Sequence, residues 1–208
     1  MDVTANDVFY DLGSGLGKAV VQTALTTPVK RAIGIEFEPT RYDAAQNAKL
    51  FLLRNSLTKV QEVNQINKKD TKGFSSLFRK TQESLPEQCG KLSPEQIRSL
   101  TGSPDNVRKI DFRKKDFTKA KMDDATLVYN FSFSREQLGQ VCAALPKKLR
   151  MFVSMHGIEG VTACSSKLVE ERKENLPFSW SKIDPTSDRE KDSGSPVYYY
   201  RLRDENAV

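Results

Sequence analysis

A glycine-rich turn at residues 13–17, directly after a short apolar run at residues 8–12, constrains the fold of this chain more than any other feature. The apolar run has the length and composition of a buried β-strand. The glycines recur at every second position, and glycine can adopt positive φ and let backbone approach a ligand closely. Residues 17–25 predict a helix whose free N–H groups and positive dipole end face the turn. The sequence therefore predicts a strand, turn and helix arranged to bind an anionic group, either a phosphate or a carboxylate.

The spacing of the glycines selects among nucleotide-binding patterns. A dinucleotide fingerprint requires G-x-G-x-x-G/A, but counting from Gly13 or Gly15 the last position holds Lys18 or Val20. A Walker loop requires G-x-x-x-x-G-K-[ST], and this turn lacks both the first glycine and the final Ser or Thr. The remaining pattern, D-x-G-x-G-x-G, resembles the loop of class I S-adenosylmethionine-dependent methyltransferases. An acidic residue that binds the ribose is expected about 20 residues further on, and Glu36 ends the next predicted strand.

This resemblance implies an α/β fold, with a Rossmann-like, seven-stranded, mostly parallel sheet and an antiparallel C-terminal hairpin. It also implies S-adenosyl-L-methionine as cofactor. In this class an acid and an aromatic residue after the third strand hold the adenine, which favours Asp116 and Phe117; the rival pair, Asp111 and Phe112, falls within the predicted strand. The cofactor-binding residues implied in this way are Asp11, Gly13, Ser14, Gly15, Gly17, Glu36, Asp116, Phe117 and Asn130.

Length and composition predict one domain, residues 1–208, with a polar and partly helical insertion at about 56–106. With 38% hydrophobic and 29% charged residues and no apolar run of transmembrane length, the chain is expected to be soluble and to have no membrane partner. Cys89, Cys142 and Cys164 are odd in number and far apart, so no disulfide framework or metal site can be read, which favours a reducing compartment. The net charge of +6 suggests a polyanionic partner.

Hydrophobic periodicity and cap residues predict the other elements. Helix starts are expected at Thr40 and Ser134 from capping-box patterns, and a short helix is expected at about 165–175. The predicted strands cover residues 31–36, 107–112, 125–129 and 150–155, followed by a hairpin of residues 178–183 and 195–202.

Motif order along the chain narrows the resemblance. The glycine loop, Glu36, the Asp116–Phe117 pair, the segment Asn130-Phe131-Ser132-Phe133, and Trp180 with residues 196–200 follow the order of one family. They resemble the Dot-one (disruptor of telomeric silencing) type, the histone-lysine methyltransferases without a SET domain. The resemblance implies that Phe133 and Tyr199 line a lysine channel and that Asn130 orients the methyl donor or the amine, so these three are the expected catalytic residues. It implies a nuclear protein whose partner is the nucleosome, both core histone and DNA.

The sequence departs from this family in two respects. Tyr129 replaces the first asparagine of the family's N-N-F-A-F loop, and Lys18 replaces a glutamine after the glycine loop. Family members also carry an N-terminal helical region and a loop that closes over the cofactor, whereas this sequence starts directly before its first strand. Three explanations stay open: those parts were cut away, an accessory chain supplies the lid, or the chain is a divergent relative with a different acceptor.

Three functions follow from these observations. The first is methyl transfer to a lysine of a nucleosomal core histone. The second is a class I methyltransferase acting on RNA or on a non-histone protein, and the third is a catalytically silent module that binds cofactor or chromatin. The segment Asn130-Phe131-Ser132-Phe133 differs from the N/D-P-P-Y/F loop of enzymes that methylate base amines. The sequence therefore favours a protein acceptor over a nucleobase.

Overall fold

The computed structural model of the protein describes residues 2–56, 104–130, 134–176 and 195–203. Seven strands and five α-helices lie in these ranges. In chain order they are β1 (Val8–Leu12), α1 (Lys18–Thr26), β2 (Arg31–Glu36), α2 (Pro39–Ser56), α3 (Pro104–Arg108), β3 (Ile110–Lys114), β4 (Leu127–Asn130), α4 (Arg135–Ala144), β5 (Met151–Ser154), α5 (Thr162–Ser165), β6 (Leu168–Leu176) and β7 (Ser195–Leu202). The insertion predicted at 56–106 lies almost entirely outside the described residues, as do the predicted strand 178–183 and Phe133.

The strands form one sheet in the order β3-β2-β1-β4-β5-β7-β6. The first five strands in that order run parallel, and β7 runs antiparallel to both β5 and β6. This topology confirms the predicted fold class, a Rossmann-like sheet with an antiparallel C-terminal hairpin. Because the order reverses between β1 and β4, the carboxyl ends of these strands form a crevice of the kind in which α/β proteins bind ligands.

Both faces of the sheet are packed over most of its width. On one face, called here the α1 face, Phe9, Ala32 and Phe112 pack with Val20 of α1 and Ala45 of α2. On the opposite face, called the α4 face, the strand residues that alternate with these pack against α4 and α5. That second cluster contains Tyr10, Leu12, Ile33, Val128, Phe152 and Tyr200 from the sheet, Leu138 and Val141 from α4, and Cys164 from α5. The alternation of side chains along each strand therefore fixes which residues reach which face.

Two predicted elements are wrong in type or position. The third strand was expected at 107–112, but residues 104–108 are helical and β3 covers Ile110–Lys114. A helix was expected at about 165–175, but this segment is strand β6, and the short helix ends at Ser165. The charged residues of β6 favour a helix locally, and the pairing with β7 overrides that preference. Within the described residues the antiparallel C-terminal pair is therefore β6 and β7.

The helix starts also differ from the prediction in one case. Ser134 accepts a hydrogen bond from the amide of Gln137, which confirms the predicted cap of α4. At α2, Glu38 rather than Thr40 provides the cap, because its carboxylate accepts hydrogen bonds from the amides of Thr40 and Arg41. A carboxylate in that place also interacts favourably with the helix dipole.

Cys142 and Cys164 form a disulfide that links α4 to α5. Sequence spacing did not indicate this bridge, since the two residues are 22 positions apart and the third cysteine leaves the number odd. Both cysteines are fully buried against the α4 face. The bridge connects the two helices that follow β4 and β5, so it fixes how α4 and α5 pack together against the α4 face of the sheet.

A polar network lies at the amino ends of the strands, opposite the crevice. The Asp7 carboxylate, 1% exposed, accepts hydrogen bonds from Thr4, Thr126 and the Arg150 guanidinium. Burial alone would raise the pKa of Asp7, but these hydrogen bonds outweigh burial and lower it to about 2. The network ties the chain before β1 to the residues that precede β4 and β5.

Candidate active site at the carboxyl edge of the sheet

The glycine loop between β1 and α1 is anchored to β2. The amides of Gly13 and Ser14 both donate to the carbonyl of Ile35, at 2.9 and 3.0 Å. Gly13, Gly15 and Gly17 all have positive φ, at 78°, 54° and 78°, which other residues adopt only at a cost. The loop is therefore held in one conformation at the carboxyl end of β1, with α1 starting directly behind it.

Gly17 and Gly34 leave room for the ring of Phe112. A Cβ atom on Gly17 would overlap that ring, and one on Gly34 would lie 2.8 Å from it. Gly17 also has a packing role: it lets α1 approach the sheet closely, which is the part played by the third glycine of dinucleotide-binding loops. Its predicted contact with the cofactor stays a prediction. A Cβ atom on Gly15, by contrast, would meet no atom of the described residues within 4 Å. The open side of the loop is therefore at Gly15.

Glu36 is placed beside this open side by the end of β2. One carboxylate oxygen accepts a 2.7 Å hydrogen bond from the Gly15 amide, and the other accepts from the amides of Phe37 and Glu38 at 3.0 and 2.8 Å. The residue is buried. The carboxylate that was predicted to bind a ribose therefore also joins the glycine loop to the start of α2.

Asp11 is the second buried acid of the crevice, at 3% exposure. Burial raises the pKa of its carboxyl, and the negative charge of Glu36 raises it further, to about 7. An acid with this pKa is about half protonated at pH 7. A positively charged ligand group next to Asp11 would favour the carboxylate and would be attracted by it.

Asp116 and Phe117 follow β3 and therefore lie at the carboxyl edge of the sheet, as the glycine loop does. One Asp116 oxygen accepts hydrogen bonds from the Thr118 amide and hydroxyl, at 2.9 and 2.6 Å, and these bonds lower the pKa of the carboxyl. Its other oxygen lies 3.7 Å from the Lys119 ammonium, at the surface. The Phe117 ring lies 4.0 Å from where a Cβ of Gly13 would be, so it faces the loop.

The rival acid, Asp111, has different neighbours. It projects from β3 and pairs with Arg113 at 2.9 Å and with Arg31 at 3.7 Å. These ion pairs lie in the middle of an edge strand, away from the glycine loop. The arrangement is consistent with the positional argument that favoured Asp116 from the sequence.

Of the three residues expected to be catalytic, the structure describes Asn130 and Tyr199, which lie on strands β4 and β7. Asn130 ends β4 and is fully buried. Tyr199 lies on β7, and the Arg172 guanidinium sits 4.1 Å from the centre of its ring. Phe133 falls outside the described residues. Their roles in transfer stay predictions.

The residues present fit a nucleoside ligand with a cationic group. The Ser14 hydroxyl is buried and has no hydrogen-bond partner among the described residues, and the space above Gly15 is open. Two carboxylates, Asp11 and Glu36, come from the same edge. Within the described ranges no group of three or more His, Cys, Asp or Glu side chains is placed to hold a metal ion. The site therefore offers amides, hydroxyls and carboxylates as its polar contacts.

Sequence reasoning missed three residues at this edge. Phe37, which directly follows Glu36, is 71% exposed, and Leu16 in the glycine loop is 52% exposed. Large apolar side chains exposed beside a crevice commonly serve a ligand or a partner. The third is Tyr129, which was noted in the sequence only as a departure from the family. The alternation of β4 could have indicated that its side chain projects beside Asp11.

Comparisons with known proteins agree with this fold. A protein of the NADB-Rossmann superfamily from Streptococcus agalactiae is similar with a TM-score of 0.53 and 10% identity, over 99% of this chain and 66% of that one. The m1A22 tRNA methyltransferase TrmK of B. subtilis is similar with a TM-score of 0.51 and 11% identity, over 97% and 62%. P. horikoshii TYW2, in complex with MeSAdo, reaches 0.50 at 8% identity, over 96% and 58%. The chain has a methyltransferase fold.

Sequence comparison adds one further match. A family model described as the histone methylation protein DOT1 matches residues 1–82, which include the glycine loop, Glu36 and α2. No curated protein matches the chain significantly. The chain spans less than two thirds of each of the three solved structures named above. Within the described residues no helix is long and apolar enough to cross a membrane.

Proposed function

We propose that this protein binds S-adenosyl-L-methionine in the crevice and transfers its methyl group to a lysine of a nucleosomal core histone, in the nucleus. The observation that carries the proposal is the pair of buried carboxylates, Asp11 and Glu36, around an open glycine loop in a methyltransferase fold. The match of the DOT1 family model to residues 1–82 supports the histone acceptor.

The chemistry of the site suits a sulfonium nucleoside. Glu36 would accept hydrogen bonds from the ribose hydroxyls while it retains the Gly15 amide, because each carboxylate oxygen has two lone pairs. Asp116 and Phe117 would contact the adenine. Asp11 would balance the positive charge of the amino-acid portion, since its buried carboxyl gains most from a nearby cation.

Transfer itself would depend on positioning. The cofactor supplies an electrophilic methyl group, and the protein must hold the acceptor in line with it. A lysine with a reference pKa of about 10.4 must lose a proton, which at pH 7 costs roughly 4.6 kcal/mol. A dry aromatic channel lowers that pKa by desolvation, and the sulfonium lowers it further by like-charge repulsion. No general base is then required.

Nucleosomal DNA would meet the basic residues on the crevice side. Lys114 and Lys115 are exposed at the carboxyl end of β3, beside the adenine contacts. Lys147 and Lys148 are also exposed, but they precede β5 and therefore lie at the opposite edge of the sheet. DNA beside a histone lysine that enters the crevice would contact the first pair and not the second.

Radiolabelled S-adenosylmethionine tests this proposal. The protein is incubated with the labelled cofactor and, separately, with nucleosomes, free histones and tRNA, and the Glu36→Gln variant serves as the inactive control. Label on a nucleosomal histone that disappears in the variant supports the proposal.

Label on tRNA would instead favour an RNA methyltransferase, a function suggested by the shared fold with TrmK and by the net charge of +6. Cofactor binding without transfer to any of these acceptors would indicate a silent binding module. Each of these two outcomes contradicts the histone proposal.

A further inference from the structure

A row of side chains runs across four strands from Asp11 towards the C-terminal hairpin. In the strand register, Asp11 is opposite Tyr129, Tyr129 is opposite Val153, and Val153 is opposite Tyr199. Directly opposed residues of neighbouring strands project from the same face. Phe9, two residues before Asp11, packs among residues of the α1 face. Asp11, Tyr129 and Tyr199 therefore all project from the α1 face.

Asn130 belongs to the opposite face. It is opposite Leu12 on one side and Ser154 on the other, and all three are fully buried. Leu12 packs in the cluster of the α4 face. Of the last two residues of β4, the one that shares a face with Asp11 is therefore Tyr129.

Contacts and charges support this placement. Tyr129 packs, partly buried, against an apolar cluster formed by Val153, Val197 and Tyr199. Burial raises the pKa of the Tyr129 phenol to about 12, and the negative charge of Asp11 and the phenol of Tyr199 contribute to that rise. The three groups are thus close enough to interact, and the Tyr129 hydroxyl keeps its proton at neutral pH.

We propose that Tyr129 forms one wall of the acceptor site, with Tyr199 further along, and that its hydroxyl orients the methyl-accepting amine. The inference rests on the proposed function. The neutral amine would donate one N–H to the Tyr129 oxygen, which leaves its lone pair free to face the methyl group. The bond from sulfur to carbon then breaks as the bond from nitrogen to carbon forms, and a neutral thioether leaves. The proton that the ammonium loses beforehand goes to solvent.

The first test is a pair of matched Tyr→Phe variants. Tyr129→Phe removes the hydroxyl in the proposed site. Tyr198→Phe makes the same change on the α4 face, where Tyr198 stacks on Tyr200 with ring centres 6.2 Å apart. We expect Tyr129→Phe to lower kcat on nucleosomes about tenfold, the effect of one lost hydrogen bond, with S-adenosylmethionine affinity within about twofold. Tyr198→Phe should change neither. Equal kcat values for Tyr129→Phe and the unchanged protein would overturn the inference.

The second test does not depend on transfer. Protein labelled with ¹³C at the tyrosine Cζ is titrated by NMR with S-adenosylmethionine and with S-adenosylhomocysteine, which lacks the methyl group and the positive charge. The Tyr129 resonance, assigned by its loss in Tyr129→Phe, should differ between the two complexes, and the Tyr198 resonance should not. Binding of both compounds with no difference at Tyr129 overturns the inference alone. Failure of the unchanged protein to bind either compound overturns the proposed function, and this inference with it.

Discussion

The amide of Gly15 donates a 2.7 Å hydrogen bond to the carboxylate of Glu36, so the acid at the end of β2 holds the middle glycine of the loop after β1. The second carboxylate oxygen holds two amides at the start of α2. Glu36 thus fixes the conformation of the glycine loop. A loop held in one conformation loses less entropy on binding a ligand.

Glu36→Gln should weaken S-adenosylmethionine binding by more than the loss of one ribose contact. The amide side chain has one acceptor oxygen, so it cannot accept on both sides, and its NH₂ would face backbone N–H groups. With about 1.5–3 kcal/mol for a hydrogen bond to a charged group, we expect a 10- to 100-fold rise in Kd by isothermal titration calorimetry.

Glu38→Gln is the matched control for Glu36→Gln. Glu38 caps α2 through the amides of Thr40 and Arg41. Losing part of that cap should lower the urea-unfolding midpoint slightly and leave Kd unchanged. Equal effects of the two variants on Kd would show that Glu36 acts only on the fold.

Gly15→Ala and Gly17→Ala should separate ligand binding from stability. A methyl group on Gly17 would overlap Phe112 at a φ of 78°, so we expect a loss of about 2–3 kcal/mol in urea unfolding. A methyl group on Gly15 meets no atom in the described ranges, and the φ of 54° costs about 1 kcal/mol. Gly15→Ala should nevertheless weaken cofactor binding at least tenfold, because its methyl group enters the open side of the loop. A stable Gly15→Ala protein with unchanged affinity would place the ligand elsewhere.

Asp11 should make apo-protein stability fall as the pH rises towards neutrality. The pKa of its carboxyl is about 7 in the folded chain and 3.8 as the reference. The folded state therefore binds the proton more tightly. The stabilisation that the Asp11 proton gives the folded state is full below about pH 3.8. It is lost as the pH rises through 7, which lowers the free energy of unfolding by up to about 4 kcal/mol.

Asp11→Asn removes this dependence, so the variant should be more stable than the unchanged protein at pH 8 and should bind S-adenosylmethionine more weakly. Urea unfolding at pH 5 and pH 8 measures the first effect, with the exposed Asp123→Asn as control. Parallel pH profiles of the two variants would contradict the raised pKa.

Asp7 should have the opposite pH dependence. Hydrogen bonds outweigh burial and lower the pKa of the Asp7 carboxyl to about 2. Its contribution to the free energy of unfolding is therefore full above about pH 3.8 and is lost as the pH falls towards 2. The contribution is up to about 2 kcal/mol. Arg150→Met removes the charged partner and should shift the acid-unfolding midpoint to higher pH, while Lys148→Ala should not. Circular dichroism between pH 2 and 6 measures both.

Reduction of the bridge between Cys142 and Cys164 should destabilise the protein. A loop of about this length contributes roughly 3 kcal/mol by the chain-entropy estimate. Mass spectrometry of alkylated, non-reduced protein should find Cys89 modified and the other two protected. Urea unfolding with and without dithiothreitol should then differ for the unchanged protein and coincide for Cys142→Ala/Cys164→Ala. Three alkylated cysteines would rule the bridge out.

The sequence predicted those parts of the fold that local signals determine. The strand before the glycine turn and the strand ending at Glu36 have the predicted bounds, because their apolar runs are continuous and end at glycine or charge. Strand β6 was missed because its Glu, Arg and Lys residues favour a helix, and only its pairing with β7 makes it a strand. Pairing partners far along the chain leave no local signal.

The candidate site was predictable to a similar extent. The glycines and Glu36 were found from their spacing, and Asp116 from the resemblance to class I methyltransferases. The face on which a residue projects was harder to read, because β4 has buried residues on both faces and parallel strands of this kind read as continuous apolar runs. Asn130 was singled out by the family resemblance, whereas the strand register puts Tyr129 on the same face as Asp11.

The ring of Phe112 fills space left by two glycines from different elements, Gly17 before α1 and Gly34 in β2. These three positions are bound to evolve as a set. A relative that carries alanine in place of either glycine should carry a smaller residue where this chain has phenylalanine, and its loop should sit further from the sheet. The spacing of the glycine motif is therefore inherited together with one aromatic residue almost a hundred positions away, which no search for the motif alone would include.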